Sequence, residues 1–169
     1  MLTVSDDFYT SSKVPNFLLH ALTEIRSQYE KDLFRNGGCG VLASVLAAVC
    51  QQQGETCELS LIHRYDPYKN TDTLSHITLG LPDRGLSLDI DGIDADCRWV
   101  ELIIDNEIII YGYSQSEFSF QDILITPNSP HPLRHLQRVT EDYQLKTPVL
   151  PFYGQVLETA LKDSFKQAA

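Results

Sequence analysis

Four residues in this chain have the types and the order that covalent chemistry needs: Cys39, His76, Asp89 and Asp91. Cys39 follows Gly37-Gly38 and opens an apolar run, Gly40 to Cys50, that reads as a helix buried on nearly all sides. The first turn of a helix has unpaired N–H groups and a positive partial charge. A thiol there loses its proton more easily and becomes a nucleophile near neutral pH. The Cys39 N–H is also free to help bind an oxyanion. Gly37 and Gly38 carry no side chains, which leaves room for a substrate carbonyl to approach the sulfur. Asn36 either caps the preceding helix or supplies a second oxyanion donor.

His76 opens a stretch of strict alternation. Ile77, Leu79 and Leu81 alternate with His76, Thr78 and Gly80. After Pro82-Asp83-Arg84-Gly85, Leu86, Leu88 and Ile90 alternate with Ser87, Asp89 and Asp91. Two period-2 runs around a Pro-Asp-Arg-Gly turn predict a hairpin. If Leu81 faces Leu86, His76 lies opposite Asp91 and Thr78 opposite Asp89. All three polar residues then project from the face opposite the Ile/Leu row. An imidazole beside a carboxylate is held in one tautomer and orientation, as a general base requires. The register favours Asp91 as the direct neighbour and Asp89 as the diagonal one. Cysteine, histidine and acid in this order fit nucleophilic attack on an amide. A zinc site built from Cys39, His76, Asp89 and Asp91 is the weaker alternative, because no short His/Cys spacing supports it.

The surrounding elements must position these groups. Residues 1–14 are polar and read as a loosely ordered arm. Pro15 can open a helix whose apolar stripe is Leu18, Leu22, Ile25, Tyr29 and Leu33. Asn36-Gly37-Gly38 stops it. Gly54 suits the left-handed end of the buried helix. Residues 57–63 read as a strand, 64–73 as a polar loop, and Gly92 as the hairpin's end. Residues 94–104 fit either a helix or a strand, and 108–111 read as a strand. Residues 114–134, with three prolines, read as mostly loop. Residues 154–167 form a terminal amphipathic helix with Val156, Leu157, Ala160, Leu161 and Phe165 inward. Trp99, Tyr111, Tyr113, Phe118 and Phe120 are expected to pack the core or wall a pocket. His63, His131 and His135 have no evident role, and the two later histidines read as surface loop residues.

Length and charge set the frame. A chain of 169 residues reads as a single domain, 1–169, able to bury a core without staples. Lys plus Arg is 13 against 23 Asp plus Glu, a net charge of −10. That balance argues against nucleic acid and anionic membranes as partners; only Arg134 to Arg138 has any density of positive charge. There is no apolar run of bilayer length and no basic-then-apolar leader, so the expected location is cytoplasmic, or exported without a cleavable signal peptide. The four cysteines include no Cys-x-x-Cys, and Cys50, Cys57 and Cys97 read as free or buried thiols.

With Asn36-Gly-Gly-Cys-Gly40, Ser75-His-Ile-Thr-Leu79 and Leu86-Ser-Leu-Asp-Ile-Asp-Gly92 in view, the chain resembles the papain-like cysteine hydrolase superfamily over about residues 30–95. That group includes cysteine peptidases, transglutaminase-like proteins and bacterial glutamine deamidases, some of them effectors. The resemblance implies an α+β fold, with the cysteine on a central buried helix and His and Asp on an antiparallel sheet. It implies Cys39 as nucleophile, His76 as base and Asp89, the first acid of Asp-x-Asp-Gly, as the orienting group, with Asp91 as the alternative. The oxyanion donors would be the Cys39 N–H and Asn36; six residues upstream, near where papain has a glutamine, this chain has Leu33. The implied activity is thiol-dependent hydrolysis of an amide in a protein or peptide, by a deamidase or narrow-specificity peptidase without cofactor or metal. Acyl transfer shares its first half. The alternative is a non-enzymatic interaction module, with the acidic surface and the proline-rich stretch 127–151 docking a basic partner.

Overall fold

The computed structural model describes residues 14–35, 37–140 and 149–162, with backbone alone for 94–100 and 102. Among these residues the chain is α+β, with six α-helices and one five-stranded antiparallel sheet. Of the expected arm, residues 1–13 lie outside the described residues. Val14, its last residue, is buried in the core.

Helix α1 (Asn16–Gln28) follows Pro15, whose φ of −58° is already set for a helix entry. Leu18, Leu22 and Ile25 are buried as their spacing predicts. The stripe does not continue to Leu33. Tyr29 adopts an extended conformation and ends the helix, and a new short helix, α2 (Lys31–Arg35), starts in a different phase. Leu33 is therefore exposed and Phe34 is buried instead. Phe34 stacks on Phe152 at 5.8 Å and meets Tyr29 edge-on at 5.9 Å.

Helix α3 (Cys39–Gln52) is the axis of the molecule, and every residue from Cys39 to Cys50 is buried. Its all-round apolar sequence has a simple cause. The sheet covers one side, and α1, α2, α5 (Pro132–Val139) and α6 (Val149–Leu161) cover the other.

The sheet runs β4-β3-β2-β1-β5. Strands β1 (Cys57–Asp66) and β2 (Thr71–Leu81) are long. They extend well into the stretch expected to be loop, because the turn needs only residues 67–70. Asp66 Oδ1 accepts the Tyr68 N–H at 2.9 Å, and Asn70 takes a left-handed φ of 51°. Strand β3 (Leu86–Asp89) pairs with β2 in the expected register, Leu81 with Leu86 and Leu79 with Leu88. Gly92 does not end the hairpin. It begins a further strand, β4 (Gly92–Ala95), after a tight turn at Ile90-Asp91.

Two other expectations are corrected. Residues 108–111 are not a strand but the end of helix α4 (Asp96–Tyr111). The Ile108-Ile-Ile run has strand propensity, but Ile104 and Ile108 continue an i, i+4 helical spacing, and context overrides propensity. Residues 114–134 are not mostly loop, since they hold β5 (Phe118–Ile125) and the start of α5. In β5 the apolar residues change face at Asp122, which hides the alternation: Phe120 is exposed, while Ile125 is buried. Tyr111 and Phe120 are largely exposed rather than core. Tyr111, Tyr113 and Phe118 form a surface aromatic row, with the Arg64 guanidinium 3.9 Å from the Tyr113 ring centre. The side chain of Trp99 and the position of Phe165 lie outside the described residues. Helix α6 starts at Val149 and buries Val156 and Ala160, with Leu157 and Leu161 half-buried.

Candidate active site

The nucleophile candidate is delivered by a two-glycine loop. Gly37 has φ of +98°, a left-handed backbone that favours glycine. Gly38 is needed for a different reason. A Cβ there would lie 2.3 Å from the Leu33 carbonyl oxygen. The missing side chain thus lets α2 close against the start of α3, a packing role distinct from the substrate access read from the sequence. The first intrahelical bond of α3 runs from Leu42 N–H to the Gly38 carbonyl at 3.1 Å. The N–H groups of Cys39, Gly40 and Val41 precede that bond and so lack helical partners.

Cys39 is 8% exposed, and the His76 imidazole lies near enough to act on its thiol. Burial works against its thiolate, but the hydrogen bond and charge of His76 more than offset this, aided by the N–H groups of Ile77 and Gly40. The net result is a thiol pKa below the ordinary value. The Ile77 contribution follows from topology. The β2–β3 ladder has its last pair at Leu79 and Leu88. Ile77 lies beyond that pair, and its backbone N–H favours the Cys39 thiolate.

His76 sits beside an irregularity in the sheet. Ile62 pairs with His76 but His63 pairs with Leu74, so Ser75 is an extra residue in β2. Such a bulge re-aims the neighbouring side chain. The Ser75 hydroxyl donates to Glu107 Oε1 of α4 at 2.6 Å, which anchors the bulge. His76 Nε2 donates to Asp89 Oδ2 at 3.2 Å, leaving Nδ1 as the ring nitrogen for the sulfur. The two side chains are only 14% and 8% exposed. Burial disfavours the imidazolium, but Asp89 and Cys39 together push the His76 pKa up to about 10. Thiol pKa down and imidazole pKa up are both shifts toward a thiolate–imidazolium pair.

Asp89 uses its two oxygens separately. Oδ2 accepts from His76, and Oδ1 accepts the backbone N–H of Asp91 at 2.7 Å, so the acid closes the turn that follows it. The structure therefore brings together Cys39, His76 and Asp89. Asp91 points elsewhere. Its carboxylate takes a bidentate contact from Arg35, with Nε 3.1 Å from each oxygen and Nη2 also on Oδ1. The diagonal acid reaches the ring because β3 ends at Asp89, and the turn carries Asp91 out of the register that would have placed it opposite His76. Asn36 lies outside the described residues.

Among the described residues no group of three His, Cys, Asp or Glu side chains is arranged to hold a metal ion. Cys50 and Cys57 are free, buried thiols. The neighbouring Cys57 thiol and burial push the Cys50 pKa up, the opposite of Cys39. The side chain of Cys97 lies outside the described residues. His131 is exposed and precedes α5, as the surface-loop reading has it, but it does have partners. Its Nδ1 accepts the Leu133 N–H at 3.2 Å, capping α5, and its Nε2 meets the buried Tyr153 hydroxyl at 2.8 Å. His135 corrects the surface-loop reading, since it lies within α5 and is half-buried. Sequence reasoning missed Arg35, the Ile77 N–H and Ser75-Glu107. Only Arg35 left a trace, as a lone cation four residues before the cysteine.

Among the described residues no helix is long and apolar enough to cross a membrane. No family model matches the chain, and neither curated proteins nor solved structures give a match.

Proposed function

We propose that this protein is a papain-like thiol hydrolase that acts on an amide bond in a protein or peptide, without metal or cofactor. The observation that carries the proposal is the buried cluster of Cys39, His76 and Asp89, with His76 Nε2 bonded to Asp89 at 3.2 Å, the thiol pKa lowered and the imidazole pKa raised. A merely structural cysteine at a helix start needs no such partners; Cys50 has the opposite shift.

In this reading the Cys39 thiolate attacks the carbonyl carbon. The carbonyl oxygen takes the electron pair and is met by the Cys39 N–H. His76 then gives its Nδ1 proton to the leaving nitrogen as the C–N bond breaks. An amine or ammonia departs and a thioester remains on Cys39. Water, losing a proton to the now neutral His76, attacks the thioester and restores the ion pair. Asp89 holds the ring and stabilises its charge throughout. Deamidation and peptide cleavage differ only in the leaving nitrogen. The close contact of sulfur and imidazole favours this chemistry over a binding module on the same scaffold.

The test is an acyl-enzyme trap. Incubation with p-nitrophenyl acetate should give a burst of nitrophenol and an acetyl adduct that maps to Cys39, and Cys39→Ala should give neither. An adduct on another residue, or no adduct on folded protein, sinks the proposal.

A further inference from the structure

We infer that Arg35 and Asp91 are positioning residues, a clamp that ties the loop carrying Cys39 to the turn carrying Asp89; this inference rests on the hydrolase reading above. The two halves of the site belong to segments far apart in the chain. Cys39 arrives through Gly37 and Gly38, whose glycines give that loop little stiffness of its own. Asp89 stands at the end of a four-residue strand next to a two-residue turn. Arg35 is the last residue of α2, immediately upstream of the glycine loop. Its guanidinium grips both oxygens of Asp91, and its Nη1 also donates to Asp32 Oδ1 at 3.2 Å. The Asp91 backbone N–H in turn donates to Asp89 Oδ1. A path of polar contacts therefore runs Arg35–Asp91–Asp89–His76, the ring that acts on Cys39, and the chain leads from Cys39 back to Arg35.

The bidentate geometry matters. A guanidinium fork fixes the plane of the carboxylate, which a lysine cannot do. Fixing that plane fixes the turn and with it the N–H aimed at Asp89. An exposed ion pair contributes little to stability, so a purely structural role predicts a small change in melting temperature and no change in the site. A positioning role predicts a change in the chemistry of His76 and Cys39, because small displacements in a reacting pair have large kinetic effects.

The experiment uses the full chain. Alkylation of Cys39 by iodoacetamide at pH 6 is timed by intact mass, and the His76 titration is followed by NMR. Asp91→Asn and Arg35→Lys, the conservative variants, should each slow alkylation about tenfold and lower the His76 midpoint, with near-native circular dichroism. The charge-swapped double variant Arg35→Asp/Asp91→Arg should recover most of the rate. Folded single variants that react at the wild-type rate overturn the inference, as does a folded double variant no faster than the singles. If the wild type itself reacts no faster than a free thiol, the hydrolase reading fails instead, so the two failures are distinguishable.

Discussion

Replacing His76 by Gln isolates the force that holds Cys39 as a thiolate. In the wild type, burial pushes the Cys39 pKa up, and His76 is the leading influence that pulls it down. Without the imidazole only two N–H donors remain against that burial, and the thiol returns to its ordinary value of 9.0 or above. At pH 6 such a thiol is ionised to about one part in a thousand, three units below its pKa. Part of this loss is recovered, because a more basic thiolate is a better nucleophile, with a Brønsted slope of about 0.4–0.5. The expected outcome is therefore slower alkylation at pH 6, by less than the roughly thousandfold drop in ionised thiol. The assay is timed iodoacetamide labelling with peptide mapping, so that Cys39 is read apart from the buried Cys50 and Cys57. The gap should close as pH rises toward 9, where both forms ionise. Equal rates at pH 6 for wild type and His76→Gln would show that the imidazole does not stabilise the thiolate, and the mechanism would have no foundation.

Turnover of an amide substrate should fall as pH rises through about 10, where His76 loses the proton the leaving nitrogen needs; a pH–rate profile flat across that range contradicts this. The sign for stability agrees: a raised His76 pKa contributes fully below the unfolded value of 6.5, and its contribution is lost as pH rises through about 10. His131 behaves oppositely. Burial lowers its pKa, and its cap on α5 requires an unprotonated Nδ1, so its contribution is complete above pH 6.5 and is lost as pH falls through the lowered value. Melting temperature measured from pH 7.5 down to 5 should fall less in His131→Ala than in wild type. Gly38→Ala should destabilise the fold by about 1–3 kcal/mol and slow Cys39 alkylation, because the new methyl meets backbone rather than a movable side chain. Phe34→Ala should cost about 3–5 kcal/mol in a denaturant titration, since it empties the stack between Tyr29 and Phe152.

What could be read in advance was local. The all-apolar run after Cys39 reads as a central helix, and the period-2 runs around Pro82–Gly85 give a register that the structure keeps from Leu81–Leu86 as far as Leu79–Leu88 and no further. The acid closest to His76 could not be read from register alone. Strand β3 stops at Asp89, and pairing rules do not say where a strand stops. The resemblance favours Asp89 only through the Asp-x-Asp-Gly pattern and leaves Asp91 as the alternative. Elements whose signals conflicted were misread: the Ile108–Ile110 run lies in a helix, and β5 changes its apolar face midway. Leu33 failed for a third reason. Periodicity was projected through Tyr29, where the backbone leaves the helix and restarts in another phase.

The early end of β3 also explains why the site exists where it does. Continuing the register past Leu79 and Leu88 would set Ile77 against Ile90, and the Ile77 N–H would be spent on the ladder. Because the chain turns at Ile90-Asp91 instead, that N–H stays off the β2–β3 ladder and favours the Cys39 thiolate. The same stop leaves Asp89 as the last residue of a strand, where a carboxylate can bond forward to the N–H two residues on. It also swings Asp91 out to Arg35. One truncated strand thus creates a donor for the thiolate, an anchored acid for the imidazole and a fixed point for the clamp. Lengthening β3 by two residues should remove all three together, whereas substitutions at Ile77, Asp89 or Asp91 alone remove at most one or two.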